Sequence, residues 1–278
     1  MRKLFKLLLF VGILVIVLGG VCIGIAFATN GFNKVEITQK TEEIEGDFSN
    51  IDICLEESNI EFFESTDGKT KLVYDDTEKI EQEIIVKDAT LKIKEEGTYK
   101  WYERLFVWNI SDLNYKLYLT KNTFENLKID GTTGNVSINN YEFKEVLIDG
   151  TTGNVKLSNI NVVNDLNVDI TTGNCKLTKV NASNLTIEIT TGNVNLEDVI
   201  ITNNINIDGA TGNVKFTRID AETINIELTT GDVKGSILTD KTFNVSTTTG
   251  SKSYPTDTRG GKCTIVVTTG DVKVTVEN

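Results

Sequence analysis

Leu185-Thr186-Ile187-Glu188-Ile189-Thr190-Thr191-Gly192-Asn193-Val194-Asn195-Leu196 decides how the rest of the chain is read. Apolar and polar residues alternate up to Ile189 and again from Val194, so each half is a strand with one buried face. Between them, Gly192 supplies the positive φ that a sharp corner needs, and Asn193 tolerates left-handed backbone. The same Thr-Gly recurs with its glycine at Gly134, Gly153, Gly173, Gly192, Gly212, Gly231, Gly250 and Gly270, at spacings of 19 or 20 residues. With each glycine as position 0, position −1 is always threonine, −2 is threonine except at Ala210, and +1 is Asn, Asp or Ser. The copy at Gly173 puts Leu166, Val168, Ile170, Cys175 and Leu177 at the same inward positions. A third apolar cluster follows, as Ile160 and Val162, Val180, Val199 and Ile201, or Ile219. Each unit is therefore two strands and a short third extended piece.

A unit of about 20 residues cannot bury these side chains alone, whereas stacked copies bury each against the same position of the next. Copies about 4.8 Å apart also satisfy one another's backbone N–H and C=O groups. The expected fold is all-β, a single-chain parallel β-solenoid (β-helix) of 19–20-residue rungs, with Thr and Asn columns forming hydrogen-bond ladders at the corners. Residues 121–278 carry the regular pattern. Upstream, Ile51-Asp52-Ile53, Asn59-Ile60-Glu61-Phe62, Lys71-Leu72-Val73-Tyr74 and Leu91-Lys92-Ile93-Lys94 alternate without Thr-Gly corners, so 46–120 reads as irregular early rungs and a cap. At Gly250 the pattern departs: Lys252 takes the +2 place, and residues 251–257 read as a loop breaking the stack. The four cysteines read as small hydrophobes rather than a disulfide framework.

The amino terminus sets the expected compartment. Arg2, Lys3 and Lys6 precede Leu7–Ala28, an uncharged, proline-free run that spans about 33 Å as a helix. The positive-inside rule then gives a cytoplasmic tail at 1–6, a single-pass transmembrane helix at 7–28, a tether at 29–45 and an extracytoplasmic remainder. Ala26-Phe27-Ala28 also has the form of a signal-peptidase site, which leaves a cleaved signal as the alternative. Lipidation at Cys22 fits poorly, because Val21 stands where a small residue is wanted. In both readings residues 29–278 work outside the membrane.

Composition removes many activities. The 278 residues include no histidine, which excludes Ser-His-Asp and Cys-His nucleophiles and HExxH zinc sites. With 28 basic and 40 acidic residues the chain carries −12, without the cationic footprint that nucleic acid requires. Residues 35–112 alone carry −12. No cofactor motif is present.

The run of Thr-Thr-Gly-Asn-Val units, preceded by Tyr115-Lys116-Leu117-Tyr118-Leu119 and a connection into Leu127-Lys128-Ile129, resembles the bacterial β-strand-repeat family named "putative adhesin", over about residues 46–278. The resemblance implies one amino-terminal membrane span and a cell-envelope setting, often beside envelope-stress regulators. It brings no catalytic residues. Thr120 departs from the pattern, where such proteins often have proline.

Two outward columns are charged. Position −4 holds Asp130, Asp149, Asp169, Glu188, Asp208 and Glu227, then Ser246 and Val266. Position +3 holds Lys156, Lys176, Lys215, Lys234 and Lys273, interrupted by Ser137, Asn195 and Ser253. Carboxylates 4.8 Å apart repel by about 0.9 kcal/mol in water. The acidic column therefore reads as a solvated face, or as a stripe for cations or a polycation; the lysines offer the same choice for anions. A glycosidase pair would interrupt the repeat at one rung, whereas these acids continue it. Adjacent threonines face opposite sides of a strand, so they build no flat ice-binding array. The nine-residue period of calcium-binding β-rolls is also lacking. Trp101, Tyr102, Arg104, Phe106 and Trp108 read as a cap over the core or as a partner contact. Together these features predict a non-enzymatic, membrane-tethered surface protein meeting an envelope protein or polymer. The alternative is an accessory in envelope-stress signalling through a membrane partner.

Overall fold

The computed structural model describes residues 10–21, 36–98, 113–256 and 259–277. The chain divides into two compact units. Of the first, 1–36 with 99–110, residues 10–21 are described and helical. Among the described residues no helix is long and apolar enough to cross a membrane. Much of the 7–28 run, and with it Cys22, lies outside the described residues, as does the aromatic segment Trp101–Trp108. The second unit, 37–98 with 111–278, holds every strand described.

The fold is all-β, and neighbouring repeats pair in parallel at equivalent positions. Val155 is the register partner of both Val136 and Cys175, Val194 of Cys175 and Val214, and Val233 of Val214 and Val272. The first strands follow the same pairing: Ile148 is partner to Ile129 and Val168, and Ile187 to Val168 and Ile207. Like therefore packs on like. Cys175, Leu177, Val180, Leu185, Ile187 and Val194 are completely buried in one continuous hydrophobic core. Where one unit carries a larger side chain, its neighbour gives way. A Cβ on Gly235 would lie 2.2 Å from the Phe216 ring, at the position where other units carry Leu157, Leu177 or Leu196.

The eight corner glycines have φ between +142° and +152°. A Cβ on Gly173, Gly192, Gly212 or Gly231 would sit within 1.6 Å of the carbonyl oxygen of the preceding corner glycine. Glycine is required here twice over, by torsion and by contact. A second bend, at position +6, went unpredicted. Asn140, Asn159, Lys179, Asp198 and Arg218 have φ of 51–67°, the left-handed region that side chains can enter.

Chain order and spatial order differ at both ends. Strands β1 (Thr38–Glu43), β2 (Asn50–Leu55), β3 (Ser58–Glu64), β4 (Lys71–Asp76), β5 (Ile80–Lys87), β6 (Thr90–Gly97) and β7 (Leu113–Leu119) precede the repeats. β2 pairs in parallel with Thr123–Thr133 on one side and β6 on the other, and β3 pairs with β7. β4 and β5 pair antiparallel with β7 and β6 respectively. Residues 38–43, inside the segment expected to be a tether, form β1, which pairs antiparallel with β4. At the other end Gly261–Thr269 pairs with both Thr223–Thr230 and Lys241–Thr249. The last repeat in sequence thus lies between the two before it. Of residues 251–257, read as a loop breaking the stack, Lys252 and Ser253 instead pair in register with Val272 and Lys273, 254–256 hold no strand, and 257 lies outside the described residues. The Gly250 unit occupies an outer position, where nothing demands an aliphatic at +2, and the exposed Lys252 donates from Nζ to the Val245 carbonyl at 3.1 Å.

The cysteine reading also needs one correction. Cys175 and Cys263 are fully buried, and burial pushes each thiol up to about 12. Cys54 is only half-buried and lies in the outward column as partner to Lys94 and Asp130.

Candidate functional site

The surface of the strand unit is built of columns, because one outward position in the repeat becomes one line across paired units. The +1 column is a continuous amide ladder. Asn135, Asn154, Asn174, Asn193 and Asn213 each donate from backbone N and side-chain Nδ2 to the Oδ1 of the preceding member, at 2.8–3.2 Å, with Asn59 as the first acceptor. Toward one end Asn59 donates to Asn114 at 3.2 Å, and Asn114 to Asp75 at 3.0 and 3.1 Å. Toward the other, Asp232, Asp271 and Ser251 continue the line as backbone donors. The threonine columns form no such ladder among the described residues.

The acidic column is a line of register partners from Asp130 through Asp149, Asp169, Glu188 and Asp208 to Glu227, all exposed. It ends against Cys54 on one side and Val266 on the other. Loss of some hydration against its neighbours, reinforced by the charges of Asp169 and Asp130, raises the carboxyl of the exposed Asp149 above its usual range. Among the described residues, however, no group of three or more His, Cys, Asp and Glu is placed to hold a metal ion.

The lysine column is likewise exposed. Lys234 pairs with Asp232 at 2.6 Å, and this contact holds the Asp232 carboxyl below its usual range.

Beside the second bend lies an open recess of about 420 Å³, whose lining includes Asn140, Glu142, Asn159, Asn161, Lys179 and Asn181. Glu142, Asn161 and Asn181 are successive register partners two residues beyond the bend. Sequence reasoning missed this feature, since its asparagines have no Thr-Gly beside them. Asn140 and Asn159 at +6, with Asn161 and Asn181 at +8, were the available signal.

Near β2 and β3, Glu95 is a buried carboxylate whose Oε1 accepts a hydrogen bond from the Ser58 hydroxyl at 2.9 Å. Burial pushes its pKa up to about 7. Its other oxygen, the Tyr115 hydroxyl and Gln82 Nε2 are buried without hydrogen-bond partners. A lone carboxylate of this kind is no acid–base pair.

Residues 48–204 and 163–278 both match the family described as Toastrack DUF4097. The chain belongs to that family. The two matches overlap at 163–204, as a repeat allows when the same pattern fits at two offsets. Among solved structures, a protein described as a putative adhesin from Bacteroides fragilis is similar at 18% identity and a TM-score of 0.54, with 86% of this chain and 97% of that one covered. A putative lipid binding protein from Parabacteroides distasonis is similar at 16% identity and a TM-score of 0.50, with the same coverage. These likenesses show the fold. No curated protein matches the chain. The family is the one that the Thr-Thr-Gly-Asn-Val units resemble.

Proposed function

We propose that this Toastrack protein is a non-enzymatic, membrane-anchored parallel β-solenoid that acts outside the membrane as an interaction protein of the cell envelope. The observation that carries this reading is the columned surface, in which acids, lysines and amides repeat in register and stay largely exposed. A similar structure described as an adhesin agrees with it. Non-enzymatic action is supported by the lack of histidine and, among the described residues, by Glu95 having no second buried carboxylate beside it. The parallel register between units supports the solenoid. Anchoring rests on the sequence alone, with Arg2, Lys3 and Lys6 ahead of the apolar run.

Protease added to spheroplasts is expected to degrade residues 29–278 while the product stays with the membrane. A mature protein beginning near Thr29 would replace the anchor with a cleaved signal. Co-purification with and without residues 1–28 tests the role. An envelope component retained by both forms supports surface binding, and a partner lost with the apolar run supports signalling through the membrane.

A further inference from the structure

We infer that the recess beside the second bend binds a neutral glycan chain through the side-chain amides of Asn140, Asn161 and Asn181. This rests on the interaction reading above and names the ligand class for it. Left-handed backbone accounts for Asn140 and Asn159, with φ of 67° and 51°. It does not account for Asn161 and Asn181, which lie beyond the bend without positive φ, in strands where asparagine is disfavoured.

Mutual bonding does not account for them either. Asparagines along the +1 column bond side chain to side chain, and so do the register partners Asn126 with Asn50, Asn204 with Asn184 and Asn225 with Asn206, at 2.8–3.0 Å. Asn161 and Asn181 are register partners as well. Yet among the described residues neither side chain makes a hydrogen bond to the protein, and neither does that of Asn140. Three exposed amides with full donor and acceptor capacity therefore face one recess.

A primary amide offers an acceptor oxygen and two N–H donors in one plane. Vicinal ring hydroxyls, each both donor and acceptor, match that pattern. The amides are uncharged, and Glu142 and Lys179 in the same lining oppose each other in sign, so the recess selects neither anions nor cations. Its volume of about 420 Å³ falls within the small-molecule range, and its open form lets a chain pass through. Adjacent units about 4.8 Å apart offer an amide per step, close to the advance of a pyranose unit along an extended polysaccharide.

The test uses the full chain in mild detergent, titrated into fluorescein-labelled chitotetraose, cellotetraose and maltotetraose with anisotropy as the readout. At least one should bind saturably and keep its affinity as salt is raised, because no charge is engaged. Asn161→Thr with Asn181→Thr should weaken that binding about tenfold or more and leave the melting temperature unchanged. No saturable binding of any of the three, binding unaffected by the double substitution, or binding that salt abolishes would each overturn the proposal. Co-sedimentation with isolated cell walls separates the two readings. Equal sedimentation of both forms removes this site and keeps the surface role, whereas sedimentation reduced by the substitutions supports the site.

Discussion

Gly192 and Arg218 both sit at bends, and they differ in what the bend tolerates. At Gly192, φ is +149° and a Cβ would meet the Gly173 carbonyl at 1.5 Å, so Gly192→Ala is expected to cost about 3 kcal/mol or more in chemical denaturation. At Arg218, φ is 55° and the side chain points out to pair with Asp198 through Nε at 2.6 Å. This contrast explains what was legible: a bend only glycine can make leaves glycine in every copy, whereas a left-handed bend accepts Asn, Lys, Asp and Arg and leaves no single residue type in every copy. Asn174→Ala should cost about 2–3 kcal/mol, because the bond to Asn154 is lost and both donors of Asn193 lose their acceptor. Asn174→Asp should cost less, since Oδ1 still accepts from Asn193, as Asp232 does from Asp271. Glu95 gives a pH dependence of definite sign. With its folded pKa raised from 4.5 to about 7, the folded state holds a proton that the unfolded state loses first, so stability falls as pH rises between those values. Glu95→Gln is expected to remove that slope, leaving stability near pH 4 unchanged and raising it by about 1–3 kcal/mol at pH 8, measured by urea denaturation.

At the scale of the repeat, the unit is interchangeable but the half-unit is not. Deleting residues 154–173 joins Gly153 to Asn174, keeps every column in register, and should leave a cooperatively folded β protein by circular dichroism and thermal melting. Deleting 154–163 joins a corner to the middle of a unit and should abolish cooperative melting, because inward residues would then pair with outward ones. Periodicity made the strands, their buried faces and the first corner readable, since each follows from one unit. It could not reveal that Gly261–Thr269 inserts between Thr223–Thr230 and Lys241–Thr249. All copies share one pattern, so any copy can follow any other. The order is fixed instead by side chains particular to the end, such as Phe243 packing on Tyr254 with ring centroids 6.0 Å apart. Nor did alternation upstream distinguish the parallel β2 from the antiparallel β5, because both alternate a more buried with a less buried residue along their length.

Across the whole strand unit, charge is arranged in lines, and lines respond to salt. Asp169→Asn with Glu188→Gln should raise the melting temperature at low ionic strength, and the gain should shrink as salt screens neighbours along the column. Millimolar calcium is expected to leave the melting temperature of the native protein unchanged, since no metal-holding cluster exists among the described residues. The amide ladder has a direction as well. Every member donates toward Asp75 and accepts from the side of Ser251, so its dipoles add as those of a helix do. Asp75 meets the positive end as an anion that can accept but never donate onward, and at the far end Ser251 gives both its backbone N–H and its hydroxyl to Asp271. Beyond Asp75 the next residue in register is Gln39 of β1, which runs antiparallel and brings no asparagine into the line. Like a polymer closed by a chain stopper, the amide ladder is chemically finished at Asp75.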